Sequence, residues 1–188
     1  MAYNLTKIVI TRPDFFDGEM DRINHLMESG LKLLHIRKPE ATEEEMRAYI
    51  LQINADYRNR LVLHSHFHLA HTYHLGGIHL SRNRQTIPPD FTGRLSYSCH
   101  TLEEVAIWKP RCCYVFLSPI FDSISKKGYH AAFTIETLEK AHKLGIVDHQ
   151  VIALGGITQE RIPLIESLGF GGVAMLGEVW ENKANLSF

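Results

Sequence analysis

The chain of 188 residues has little of what would mark several common protein classes. There are only three cysteines, Cys99, Cys112 and Cys113. Their number is odd, two are adjacent and no CxxC occurs, which excludes a disulfide framework and a zinc knuckle. A reduced, cytoplasmic protein is the expectation. No apolar run approaches about 18 residues, and the opening MAYNLTKIVITRP lacks the h-region of an export signal, so neither membrane nor export is indicated. There is no basic run and the formal net charge is −1, which removes the electrostatic footprint of a nucleic-acid binder. No linker, low-complexity tract or long internal repeat divides the chain. Residues 1–188 therefore read as one domain, long enough to bury a full core.

What is present is an alternation of short apolar runs with helical patterns. Runs at Lys7–Thr11, Leu31–Arg37, Arg60–His64, Gly77–Leu80, Arg94–Ser98, Cys113–Leu117, Val151–Leu154 and Gly172–Leu176 predict eight strands. Helical spacing lies between most of them: Met20, Ile23, Leu26 and Met27 before a stop at Gly30; Met46, Tyr49, Ile50 and Ile53 after an N-cap at Thr42; a short helix at Phe67–Tyr73; Thr101 with Glu104 as a capping box for a helix to Trp108; Thr134–Leu144; and Glu160–Leu168 after Thr158. Residues Arg82–Gly93 read as loop with little helix. Such alternation predicts parallel strands with crossovers, and the count of eight predicts closure into a compact (β/α)8 barrel with a truncated C-terminal helix. An open flavodoxin-like sheet is the alternative.

The stretch Gln150–Gly177 is the most suggestive. Strand, Gly155-Gly156, helix, strand, then Gly177 place bare backbone N–H groups at two neighbouring strand ends, where a barrel of this kind binds phosphate. Strand alternation puts Leu33, His35 and Arg37 on the interior face, with Arg37 at the mouth or else a solvated loop residue. Twelve histidines are many. His64 and His66, two apart on a strand, would share a face and could chelate a divalent cation. With no carboxylate or cysteine partner they read as ordinary histidines, and no residue is assigned as a metal ligand. His79 would complete a ring of imidazoles with His35 and His64, and that ring would titrate near neutral pH. The loop after the sixth strand, from Ser118 to Gly128, carries hydroxyls and two lysines suited to gripping an anion, or is a charged surface loop.

The order of LLHIRKPEATEEEM, GGIHLS, YSCHTLEEV, FLSPIFDSISKKG, ALGGIT and GGVAML resembles the superfamily of thiamine phosphate synthases and TenI-type thiazole tautomerases, from about Ile8 to Gly177. The resemblance implies a (β/α)8 barrel, commonly a homodimer, acting on small molecules: a phosphorylated thiazole and, in the synthases, a pyrimidine diphosphate joined to it with release of pyrophosphate and use of Mg2+. By position it implies Arg37 at the diphosphate, Ser98 in the pyrimidine site, and Ser123, Ser125 and Lys126 on phosphate groups. It further implies Gly155, Gly156, Leu176 and Gly177 as the thiazole-phosphate cup.

The departures are specific. Where the synthases carry Asn-Asp after the third strand this chain has His64-Ser65, and where a second acidic Mg2+ ligand belongs it has Ser81-Arg82-Asn83-Arg84. The lysine two residues after the strand-2 arginine is replaced by Pro39, beside Lys38. Hard oxygen ligands for Mg2+ are thus missing, and Arg82 and Arg84 would neutralise an anion directly. The tautomerase histidine after the sixth strand corresponds to Pro119, which leaves His35, His64 and His79 as acid–base candidates. Four readings follow: a synthase-like transferase with an atypical metal site, a metal-independent tautomerase, a non-catalytic binder of a thiamine precursor, and a histidine-ligated transition-metal enzyme that would carry zinc or nickel.

Overall fold

A computed structural model describes residues 5–122 and 131–181. Eight short parallel strands hydrogen-bond in sequence order and close on themselves: β1 (Thr6–Ile10), β2 (Leu33–Ile36), β3 (Leu61–Leu63), β4 (Gly77–Leu80), β5 (Arg94–Cys99), β6 (Tyr114–Leu117), β7 (Val151–Leu154) and β8 (Gly172–Met175). The seam pairs Thr6 with Gly172 and Val9 with Met175. Helices cover the outside: α1 (Glu19–Glu28), α2 (Glu43–Gln52), α3 (His68–Thr72), α4 (Leu102–Trp108), α5 (Ile135–Lys143), α6 (Ile162–Ser167) and α7 (Gly177–Trp180). The expected (β/α)8 barrel with a short final helix is what forms, and the open sheet is excluded by the seam.

Period-two alternation sorts the apolar residues into two cores. Ile8, Ile10, Leu33, Val62, Tyr114, Phe116, Ile152 and Ala174 fill the barrel. Val9, Leu34, Ile36, Leu63, Ile78, Val115, Ala153 and Val173 face outward onto Ile23, Met46, Ile50, Val105, Leu138 and Ile165 of the helices. Thr42 and Glu45 make a full capping box on α2, with Glu45 N–H donating to Thr42 Oγ1 (3.2 Å) and Thr42 N–H to Glu45 Oε2 (2.8 Å). At α4 only half the expected box forms. Thr101 Oγ1 accepts from Glu104 N–H, but the Glu104 carboxylate takes the His100 N–H (2.6 Å) rather than that of Thr101. Trp180 of α7 is buried and donates its Nε1–H to Ile10 O (2.7 Å), tying the last helix to the end of the first strand.

Two boundaries differ from the sequence pattern for reasons the hydrogen bonds show. Strand β2 is shorter than Leu31–Arg37 because Leu31 N–H closes the end of α1 on Leu26 O and Arg37 N–H donates to the Thr11 hydroxyl (2.9 Å) instead of a ladder carbonyl. Helix α6 starts at Ile162, since residues Gln159–Arg161 form a 3-10 turn and Thr158 makes no side-chain cap. Between β4 and β5 the expected loop forms, with a Ser81–Arg84 bridge and no helix. The three thiols are free; burial pushes Cys99 up to about 12 and Cys112 up to about 11, so neither supplies a thiolate. Among the described residues no helix is long and apolar enough to cross a membrane.

One buried ion pair stands outside the barrel wall. Lys38 Nζ, wholly buried, donates to both Glu19 carboxylate oxygens (2.8 Å each) and to Asp14 O (2.6 Å), beneath the rings of Phe15 and Tyr49. Burial lowers the lysine pKa and Glu19 opposes that shift. Removing one partner strands the other charge, so Glu19→Met is expected to cost about 3–5 kcal/mol in urea denaturation, and the Glu19→Met/Lys38→Met double variant to recover most of it.

Candidate active site

The three strand-end histidines meet. His35 of β2, His79 of β4 and His64, one residue past β3, each place a ring nitrogen within 4.8 Å of the others. His35 Nδ1 lies 3.0 Å from His64 Nε2. The remaining nitrogen of His35, Nε2, lies 2.7 Å from the Tyr114 hydroxyl. His79 is held on both sides, by Ser96 Oγ at Nδ1 (2.8 Å) and Ser98 Oγ at Nε2 (2.7 Å). The His64 and His79 rings stack at 4.3 Å, and Phe116 packs against His35 (4.9 Å) and His79 (4.6 Å). Alternation explains the convergence: each residue occupies an inward position, and β4 and β5 pair His79 directly with Ser96.

The expectation that this ring titrates near neutral pH is corrected. His35 and His79 are buried (0% and 2% exposed). Desolvation drives His35 and His64 well below 6.5 and His79 to about 3. Neighbouring imidazoles and, for His64, the Arg37 and Arg84 guanidiniums act in the same direction. The site is a stack of neutral imidazoles near neutral pH. His64 and His66 do not pair: the chain turns at His66 (φ +50°), whose Nε2 lies 2.9 Å from Ala41 O, while His68 bridges to Glu43.

The cations around this cluster are placed unequally. Arg37 is half-buried, its backbone clamped by Thr11. Lys38 is turned away into its pair with Glu19 and does not stand in for a lysine at Pro39. Arg82 is 78% exposed and paired with Glu104 (2.9 Å). Arg84 donates to the His64 carbonyl (3.1 Å). No donor set here fits Mg2+ among the described residues. Among the described residues no carboxylate joins the three histidines, the Ser65 hydroxyl is buried without a partner, and Arg84 occupies ground where a hard cation would need an acid.

The ends of β7 and β8 form the other half. Gly155 and Gly156 both have positive φ (+101° and +61°). The segment after β6, opening on a cis Ser118-Pro119 bond, lies directly against them: Ile120 N–H donates to Leu154 O (2.9 Å) and Phe121 N–H to Gly155 O (3.1 Å). A Cβ on Gly156 would overlap the Asp122 carbonyl and Phe121. Leu176 precedes α7, which starts at Gly177 and puts that residue's N–H at a helix N-terminus with no side-chain cap. Ser123, Ser125 and Lys126 lie outside the described residues. His100 Nδ1 lies 3.1 Å from Ser118 O, which brings an imidazole beside Pro119.

Tyr114, Ser96 and His100 also contact these groups; no sequence motif marks the first two, and His100 lies within the YSCHTLEEV motif without being singled out there. Alternation along β5 and β6 is the available signal for the first two, since Ser96 shares a face with Ser98 and Tyr114 with Phe116. Tyr114→Phe leaves His35 Nε2 unpartnered in the barrel core, and is expected to lower stability by about 1–3 kcal/mol in urea denaturation. A surface change such as Leu144→Ala, at a 73% exposed side chain, should move the midpoint little.

A sequence profile described as thiamine monophosphate synthase matches residues 7–179. A thiamine-phosphate synthase of Dictyoglomus turgidum is 27% identical over 169 residues, covering 85% of this chain and 75% of that protein. One of Photorhabdus laumondii is 27% identical over 170 residues (86% and 78%). Among solved structures, a thiamine phosphate pyrophosphorylase of Bacteroides thetaiotaomicron superposes with a TM-score of 0.85 at 40% identity, covering 96% of this chain and 87% of that one. One from Pyrococcus furiosus, at 19% identity and a TM-score of 0.75, shares the fold. A closed eight-stranded barrel with its glycine turn after β7, matched by this profile over nearly its full length, belongs to the thiamine monophosphate synthase family.

Proposed function

We propose that this barrel is a transferase of thiamine biosynthesis that seats a phosphorylated thiazole at the ends of β7 and β8 and couples it to a pyrimidine diphosphate, releasing pyrophosphate, without the acidic Mg2+ site of the synthase pattern. The observation that carries the reading is the Gly155-Gly156 turn, wedged against Pro119–Asp122 at the end of β7, next to the strand β8 that leads to Gly177 at the start of α7. Backbone N–H groups presented by such a turn suit a phosphate and tolerate no added side chain. Arg37 is placed to meet the diphosphate and stabilise its charge as it leaves. Ser98, steadied by His79, is placed to orient the pyrimidine. Ser123, Ser125 and Lys126 are assigned to the phosphate groups by their position in the loop.

A second reading draws on a separate observation. Neutral imidazoles linked from Tyr114 through His35 to His64 can hand protons between positions, which suits a thiazole tautomerase that needs no metal.

Calorimetry with thiazole phosphate, paired with a thiamine phosphate assay in Mg2+ and in chelator, separates these. Wild type is expected to bind thiazole phosphate, and Gly156→Ala to bind it about tenfold or more weakly, about 1.4 kcal/mol. Arg37→Ala should lower kcat/KM for coupling by about 100-fold, about 2.7 kcal/mol, with thiazole binding unchanged. Coupling at an ordinary Mg2+-dependent rate would refute the atypical metal site. Isomerisation of a thiazole carboxylate phosphate, abolished in His64→Gln, would establish the tautomerase. Absence of thiazole phosphate binding would overturn both.

A further inference from the structure

The residues that displace Mg2+ are themselves a ligand set for a different ion. From the convergence of His35, His64 and His79 we propose a facial three-histidine site for a late first-row divalent cation, with Zn2+ as the ion tested, leaving one coordination position open. The site stands independently of thiazole phosphate binding.

Four features of the cluster support it. One nitrogen of each ring lies within 4.8 Å of the others. Zn–N bonds of about 2.0–2.1 Å at tetrahedral angles require N···N separations of about 3.4 Å. The 3.0 Å His35–His64 contact opens slightly, and the widest pair closes by at most about 1.4 Å to reach that tetrahedral spacing, within reach of small ring rotations. Second, with His35 Nδ1, His64 Nε2 and His79 Nε2 taken as the ligands, the other ring nitrogens of His35 and His79 have hydroxyl partners at Tyr114 and Ser96. Metal-bound histidines are ordinarily steadied in this way through the ring atom they do not spend on the metal.

Third, the donor set is imidazole nitrogen alone, with no carboxylate joining it among the described residues. An unprotonated imidazole nitrogen is what a borderline-soft cation binds, whereas Mg2+ wants oxygen. Fourth, there is a way in. His64 alone of the three is partly exposed, so the cation and its fourth ligand approach past that ring. Arg37 and Arg84 lie on the same side and repel a bare cation. Their charge calls for an anionic fourth ligand, such as hydroxide or a phosphate oxygen. Ser98 Oγ, 2.7 Å from His79 Nε2, must yield that hydrogen bond when the nitrogen takes the metal.

The test uses tag-free full-length protein, stripped with chelator and titrated with Zn2+ alone, with retained metal measured by elemental analysis and with Co2+ as a spectroscopic substitute. Expected is one equivalent of Zn2+ retained through gel filtration, a raised Tm, and the intense visible bands of four-coordinate Co2+. His64→Gln should abolish retention and the Co2+ bands. Ser96→Ala and Tyr114→Phe should weaken binding about 10–100-fold. The surface changes His68→Gln and His71→Gln should leave it intact. His35 sits in the barrel core, where substitution disturbs folding, so the deciding variant is His64→Gln, at the exposed edge. Zn2+ binding that survives His64→Gln, or is lost in His71→Gln, belongs to surface histidines and overturns the proposal. So does failure to retain Zn2+, or preference for Mg2+.

Discussion

Closure of the sheet at β1 and β8 is the constraint on which the rest depends. Strands of three to six residues could not hold an open edge without exposing unpaired backbone groups, and the Thr6–Gly172 seam removes that edge. Closure also divides every strand into inward and outward positions. The outward set meets helices and is apolar, as helix packing requires. The inward set has no helix to satisfy, and its upper part is polar. His35, His79, Ser96 and Ser98 therefore face one another rather than water.

A barrel interior built this way must pair its polar atoms internally. Three imidazoles in one enclosed space cannot all carry protons, and desolvation decides in favour of the neutral forms. The Lys38–Glu19 pair shows the other solution to burial, in which full charges are kept because each has the other. Both arrangements draw on the same end of β2, with Arg37 between His35 and Lys38 in the chain. That order commits Lys38 to structure while Arg37 remains available at the mouth.

The site is consequently of two kinds. Around Gly155, Gly156 and Gly177 it is made of backbone, a proposed phosphate seat that depends on small residues and, at Gly155 and Gly156, on positive φ rather than on a particular side chain. Around His64, Ser65 and Arg84 it is made of side chains, and here the chain departs from the synthase pattern. Histidine and arginine stand where the resemblance implies acids, and on the proposed reading this changes which ion and which anion the mouth accepts. It does so without disturbing the barrel beneath.

Much of this was legible in order. Eight short apolar runs separated by helical spacing are a local signal, and so are the Thr42 cap and the glycine turn after β7. Membership of His35, Arg37, His64 and His79 in an inward-facing set also follows from period two. Other features were not legible. The pairing of His35 with Tyr114 joins residues 79 apart, and that of Lys38 with Glu19 joins two helical crossovers. The neutral state of the histidines depends on how completely neighbouring strands exclude water. The sequence by itself determined the barrel, its glycine turn after β7 and the inward set of its strands, because those depend on periodicity and local backbone preference. Only the tertiary structure decided that the expected ring of three histidines is desolvated and that His66 and Lys38 turn away from it, because direction, distance and desolvation arise when the eight strands close.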